Sequence, residues 1–337
     1  MNVKANRNHA LDSARCFAAL AVVVLHSAAM VLNDGAAHDT PDWMWANLYD
    51  AATRWCVPVF VMISGVLLLD PYKKQETWGQ FYGRRAQRIV PAIVFWSLFY
   101  LAWASWLYPL QGIQLDAAAW WRKATSGEPY YHLWYLYMLL GLYLLGPVVQ
   151  RMYRYCSAKQ RVVVMLLLFA AAMLQALVRE LNASSYGFFL FWCLPYLSYF
   201  WAGRVLVDGH VQIPAPLWVL LWAIVLTVIG TYWLSSTEQL VVYFYDNFSL
   251  TVPLMSLAVF QLILYKGVRS RFSKLVPYTF GIYLVHPAFL DLATVSGLYR
   301  LDHGIVWQVP FISALVVLAS LAAVWLLRQS RYGRAIS

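Results

Sequence analysis

Leu11-Asp12-Ser13-Ala14-Arg15-Cys16-Phe17-Ala18-Ala19-Leu20-Ala21-Val22-Val23-Val24-Leu25-His26 sets an arginine and a histidine eleven residues apart, with only apolar residues and one cysteine between them. At about 100° per residue, eleven steps make about three turns, so Arg15 and His26 share one face of a helix. A rise of about 1.5 Å per residue separates them by about 16 Å along the axis. Such a pair inside apolar sequence is costly unless a partner or an aqueous cavity receives it, which makes it a functional-site candidate. Asp12, three residues before Arg15, is spaced to pair with it at the helix start.

The rest of the chain has the same character. Hydrophobic residues make up 62% and charged residues 12%, about half the charge of a soluble domain. A membrane span needs about 20 apolar residues, and ten runs qualify: 10–32, 49–69, 89–109, 132–150, 161–179, 187–207, 214–235, 247–266, 277–295 and 305–327. The expectation is an all-α polytopic membrane protein with one domain of ten transmembrane helices over 10–327. A short tail precedes it at 1–9, and a basic tail follows at 328–337. The first run is too long for a cleavable signal peptide and contains Arg15. With the N-terminus in the cytoplasm, only Arg54, Arg122, Lys123, Arg179 and Arg300 face outward. The other 20 of the 25 lysines and arginines, among them Lys73, Lys74, Arg269 and Arg271, face inward. That bias predicts cytoplasmic N- and C-termini. The partner implied by the net charge of +10 is therefore a lipid bilayer, with no call for nucleic acid.

Several chemistries find no support in the sequence. The four cysteines, Cys16, Cys56, Cys156 and Cys193, have no CxxC spacing, so they read as packing residues, with neither a disulfide nor a metal site expected. No Walker-type loop, GxGxxG or HExxH occurs, which argues against nucleotide hydrolysis and zinc chemistry.

Five further stretches carry candidate residues. In the second run, Pro58 is expected to kink a helix interior. Ser64-Gly65 reads either as a close helix contact or as room for a ligand arm. Before the third run, Arg85 and Arg88 project from one helical face at the membrane surface. They are suited to a phosphate through the guanidinium fork or to lipid headgroups. The outer stretch Trp120-Trp121-Arg122-Lys123 looks interfacial. It leads into Glu128-Pro129-Tyr130-Tyr131-His132-Leu133-Trp134, where Glu128, Tyr131, His132 and Trp134 read as an aromatic belt or as part of a sugar-binding surface. In the ninth run, His286 precedes Pro287 and reads as a packing histidine or as an assistant to chemistry. Asn33 to Asp50 is expected to be a short solvated loop. Glu238 and Asp246 read as solvated, while Tyr196, Tyr199, Trp201 and Gly203-Arg204 are candidates to line a cavity.

If Arg15, Arg85 and Arg88 gather at one cytoplasmic mouth, they make a cationic clamp with His26 about 16 Å deeper. A long ligand with phosphates at one end and a thioester at the other fits that layout, as coenzyme A esters do. Histidine is suited to take a proton from an attacking hydroxyl near neutral pH. The chemistry inferred is acyl transfer to an alcohol.

At this point the chain resembles the membrane acyltransferase-3 family. Arg15 and His26 match its arginine, ten residues, histidine hallmark. Arg85-Ala86-Gln87-Arg88 matches its arginine pair, and Phe60-Val61-Met62-Ile63-Ser64-Gly65 its stretch ending in Ser-Gly. His132-Leu133-Trp134 and Gly281-Ile282-Tyr283-Leu284-Val285-His286-Pro287 match two later motifs. Within the family it looks most like the enterobacterial common antigen O-acetyltransferase group. The resemblance implies acetyl-CoA as donor, a bacterial inner-membrane location, a catalytic His26, and Arg15, Arg85 and Arg88 as cofactor-holding residues. It leaves the acceptor open among lipid-linked sugars, other envelope glycans and small molecules, and leaves the oligomeric state undetermined. A transporter or exporter of an anionic or glycosylated solute is the competing expectation, with Arg15 and His26 lining its path. Inverted repeats are not apparent, which weighs against it.

Overall fold

Helix α1 (Val3–Asn33) runs unbroken from the expected N-terminal tail through the Arg15–His26 stretch. In the computed structural model, residues 3–33, 38–72, 76–182, 187–266, 274–300 and 304–337 are described. Lys73, Lys74, Arg269, Arg271, Asp302 and His303 lie outside them, as does Asp34 of the first outer segment. Every regular element among the described residues is helical. Seven helical stretches among them are long and apolar enough to cross a membrane. The expected ten-span count and its orientation go beyond that observation.

Two helices replace what the apolar pattern presents as one span and a loop. Helix α2 (Pro41–Thr53) is capped by Thr40, whose side chain accepts from the Trp43 amide. It occupies most of the segment expected to be a solvated loop, and Trp43, Ala46, Asn47, Asp50 and Ala51 are buried in it. The chain turns at Arg54–Trp55 before α3 (Cys56–Leu68). Pro58 therefore stands in the first turn of α3, not in a helix interior. There its missing N–H removes no bond within α3, and the bond it cannot make is the one to the Arg54 carbonyl, at the turn between α2 and α3.

Helix α4 (Trp78–Leu110) begins at a capping box. Thr77 accepts from the Gln80 amide, and the Gln80 side chain accepts from the Thr77 amide. That cap carries helix through Arg85 and Arg88 and onward through Pro91. The short α5 (Ala117–Thr125) holds the outer Trp120-Trp121-Arg122-Lys123 stretch, with Trp121 exposed. Next come α6 (Trp134–Tyr155), α7 (Ala158–Leu181), α8 (Cys193–Val207), α9 (Pro216–Leu234), α10 (Val252–Lys266), α11 (Val276–Val295) and α12 (Ile305–Leu327). Residues 328–337 are not a free tail: they turn into α13 (Arg331–Ile336), capped by Ser330.

Helices α1, α3, α8 and α11 form the interior, whereas α7 and α9 turn most of their apolar surface outward. Leu166, Leu167, Trp218 and Trp222 are among the large side chains exposed there, as a lipid-facing surface requires. The tightest packing joins α3 to α8. A Cβ on Gly65 would lie 1.7 Å from the Phe200 carbonyl oxygen, and one on Gly203 would lie 2.2 Å from that of Met62. Tyr199 and Trp201 are buried in this packing. Arg204, also buried, donates to Asp208 at 2.7 Å, which ties it into an ion pair. Asp246 is likewise not a solvated loop residue: it pairs with Arg179 at the end of α7 and accepts from the Phe248 amide at 2.8 Å. None of Cys16, Cys56, Cys156 and Cys193 is in a disulfide.

Candidate active site

Arg15 donates to Asp12 at 3.0 Å and lines a cavity of about 510 Å³. Four further helices wall it: α3 through Phe60 and Ser64, α4 through Arg88, α6 through Tyr135 and Tyr143, and α11 through Phe280 and Tyr283. Arg328 and Arg334, from the end of α12 and from α13, complete the wall. Among the described residues, four arginines thus meet in one space and no acidic side chain lines it. Among the described residues, only Arg15 of the four has an Asp or Glu partner. Like charges confined together repel unless an anion neutralises them, so the cavity favours a polyanion. Guanidinium forks add directional bonds to phosphate oxygens.

The structure separates residues that the sequence groups together. Arg88 reaches the cavity, but Arg85 does not. Arg85 pairs with Glu76 and lies over Phe81, its guanidinium carbon 3.8 Å from the ring centroid. Ser64 lines the cavity, its hydroxyl donating to the Phe60 carbonyl at 3.1 Å. Gly65 faces α8, so the absent side chain gives room to the Phe200 backbone and not to a ligand.

Toward the other end of α1, three histidines from three segments converge. His26 stacks on His286 of α11 with ring centroids 5.3 Å apart and an interplanar angle of 26°. His132, just before α6, sits edge-on to His286 at 5.7 Å, and Tyr131 sits edge-on to His26 at 5.0 Å. His132 and His286 are 1% and 0% exposed, whereas His26 remains partly accessible. The His286 Nδ1 lies 3.1 Å from the Ile282 carbonyl. A carbonyl only accepts, so Nδ1 carries the proton there.

Tyrosines fix this cluster and join it to the cavity. Tyr283, a cavity residue, donates its hydroxyl to the His132 carbonyl, and its ring lies 6.2 Å from that of His286. Tyr100 of α4 donates to the Leu284 carbonyl at 2.7 Å and meets His132 edge-on at 4.8 Å. Tyr130 stacks on Tyr100 at 4.6 Å and donates to Asp291 of α11 at 2.7 Å. Burial first, and then the Asp291 carboxylate, push the Tyr130 phenol above its ordinary range, which keeps it a proton donor. Trp103 adds a second bond to the same carboxylate oxygen at 2.8 Å.

Of the expected outer residues, Tyr131 and His132 belong to the cluster and two do not. Trp134 packs against Tyr196 of α8 at 5.7 Å. Glu128 is exposed on the preceding turn, its amide donating to Ser126 Oγ at 3.2 Å. The residues not singled out in the sequence are Tyr100, Tyr130, Tyr283 and Asp291 around the histidines, and Arg328 and Arg334 in the cavity. Asp291 did carry a signal, being an acid inside an apolar run.

Residues 8–328 match the family model for an acyltransferase domain, the acyltransferase-3 type. No curated protein and no solved structure matches the chain.

Proposed function

The chain belongs to the acyltransferase-3 family, and from that premise we propose that it moves an acetyl group from cytosolic acetyl-CoA to a hydroxyl of a cell-envelope glycan or lipid-linked sugar. The acceptor stands at the periplasmic side of a bacterial inner membrane. The observation that supports this reading best is the cavity lined, among the described residues, by four arginines and no acidic side chain, and connected by Tyr283 to the histidine cluster. The donor set suits the phosphates of a CoA ester, held by Arg15 and Arg88 with the thioester directed toward His26.

His26 is the reacting histidine because it alone of the three keeps partial exposure. Its unprotonated ring nitrogen accepts the proton of the acceptor hydroxyl as the oxygen bonds to the thioester carbonyl carbon. The carbon–sulfur bond then breaks. The proton held on His26 passes to the departing thiolate, so the products are the O-acetyl ester and free CoA. His286 and Tyr131 hold the His26 ring in place, and His132 backs His286.

Release of free CoA from acetyl-CoA by the purified protein tests the reading, with and without bacterial glycan extract and with His26→Ala alongside. Extract-dependent release that the substitution abolishes is the expected result. Movement of an anionic solute across proteoliposomes without consumption of acetyl-CoA would replace it with transport.

A further inference from the structure

We propose that Arg328 and Arg334 are donor-binding residues, and that residues 328–337 form the cytoplasmic wall of the site that holds the nucleotide phosphates of a CoA-type ligand. The inference rests on the proposed function and extends it to a segment that the sequence presents as a basic tail. Both arginines line the cavity that Arg15 and Arg88 enter. Neither has an Asp or Glu partner among the described residues. By contrast, Arg54, Arg85, Arg161, Arg179 and Arg204 each pair with an acid. Among the described residues, the hydrogen bonds of Arg328 and Arg334 are to main-chain oxygens. Arg328 donates to Ser337 at 3.1 Å and Arg334 to Arg328 at 3.2 Å, which leaves most of each five-donor fork free.

The segment is held where it is by more than charge. Trp96 of α4 donates its indole N–H to the Ile336 carbonyl at 2.7 Å. A Cβ on Gly333 would lie 1.8 Å from the Leu327 carbonyl oxygen, so the tight return from α12 depends on glycine at that position. Ser337 donates to the Gly333 carbonyl at 2.7 Å and is itself buried. Fixed in this way, the segment brings two guanidinium groups, neither paired with an Asp or Glu among the described residues, to the end of the cavity remote from His26. The reacting thioester must lie near His26, so the phosphates of an elongated CoA ester lie at this end. Two cations from residues 328–337 join two from α1 and α4 around a ligand that carries a diphosphate and a ribose phosphate.

The test is CoA affinity of the full-length purified protein by titration calorimetry, in detergent alone and with added phosphatidylglycerol. Wild type is compared with Arg328→Gln, Arg334→Gln, Arg15→Gln and Arg88→Gln. Loss of one charge-assisted contact weakens binding by about tenfold or more, and that loss is expected for Arg328→Gln and Arg334→Gln in both media. Arg334 is exposed, so its variant keeps the wild-type thermal unfolding and decides the matter should Arg328→Gln fail to fold. Unchanged affinity in Arg334→Gln, with weakened binding in Arg15→Gln and Arg88→Gln, overturns this inference and leaves the proposed function intact. An effect seen only with phosphatidylglycerol present assigns the two arginines to a lipid headgroup and also overturns it. No binding of CoA by the wild type overturns both readings together.

Discussion

His26 of α1 and His286 of α11 stack at 5.3 Å, yet of the two only His26 keeps partial exposure. His286 is fully buried, with Nδ1 committed to the Ile282 carbonyl. On the proposed function, His26 is the reacting ring and His286 the ring that supports it. His26→Ala should lower kcat by about 10²–10⁴-fold, the usual contribution of a positioned acid–base group, while CoA affinity stays within about twofold of wild type. His286→Ala should lower kcat by a smaller factor, on the order of tenfold. Steady-state CoA release gives both numbers. Equal losses would remove the distinction between the two histidines.

Arg85 and Arg88 lie three residues apart but have different surroundings. Arg88 is in the cavity, and Arg85 is engaged by Glu76 and Phe81. Arg88→Ala should raise the donor KM by about tenfold and leave thermal unfolding unchanged. Arg85→Ala should leave donor KM alone and reduce stability by about 1 kcal/mol, the scale of a partly exposed ion pair with a cation–π contact. A donor KM that rises in Arg85→Ala as much as in Arg88→Ala would return Arg85 to the binding site.

Gly65 gives a test in which fold and ligand contact part ways. The nearest atom to an added Cβ is the Phe200 backbone oxygen at 1.7 Å, which cannot swing aside as a side chain could. Gly65→Ala must therefore push α3 from α8 and should destabilise the protein by about 1–3 kcal/mol or more. Ser64→Ala removes a cavity hydroxyl without that clash and should fold normally. Thermal unfolding in detergent separates the two variants. A fully stable Gly65→Ala with weakened CoA binding would restore Gly65 as a ligand contact.

What the sequence discloses and what it hides follow the range of the forces involved. The all-helical class is legible because hydropathy and helical period are local properties, and α1 is one helix over Arg15 and His26 as their spacing predicts. The break at Arg54–Trp55 is less legible, because α2 is apolar enough to merge with α3 into a single run. Convergence of His26, His132 and His286 is not a property of any segment. It depends on Tyr100 and Tyr283 bonding to backbone carbonyls of distant elements. Arg328 and Arg334 were hidden for another reason. Positive-inside bias already explains basic residues after a last span, and nothing local reveals that Trp96 anchors residue 336 over the cavity.

Asp291 yields the last prediction. One of its carboxylate oxygens accepts from Tyr130 at 2.7 Å and from Trp103 at 2.8 Å. Tyr130 in turn meets Tyr131 at 5.0 Å, and Tyr131 meets His26 at the same distance. The carboxylate thus fixes a row of aromatic rings that ends on His26, and among the described residues it bonds to neither the cavity arginines nor His26. Asp291→Ala leaves the buried Tyr130 and the half-buried Trp103 without an acceptor, at a cost of about 1–3 kcal/mol for the buried donor and less for the other. Asp291→Asn keeps one acceptor oxygen and should be milder in both stability and turnover. Because the change lies on the His26 side, kcat should fall in Asp291→Ala while CoA affinity is retained, and Tyr130→Phe should reproduce part of the loss. Paired measurement of CoA release and CoA binding tests this. Weakened CoA binding with undiminished kcat would place Asp291 in the donor site and end its role in aligning His26.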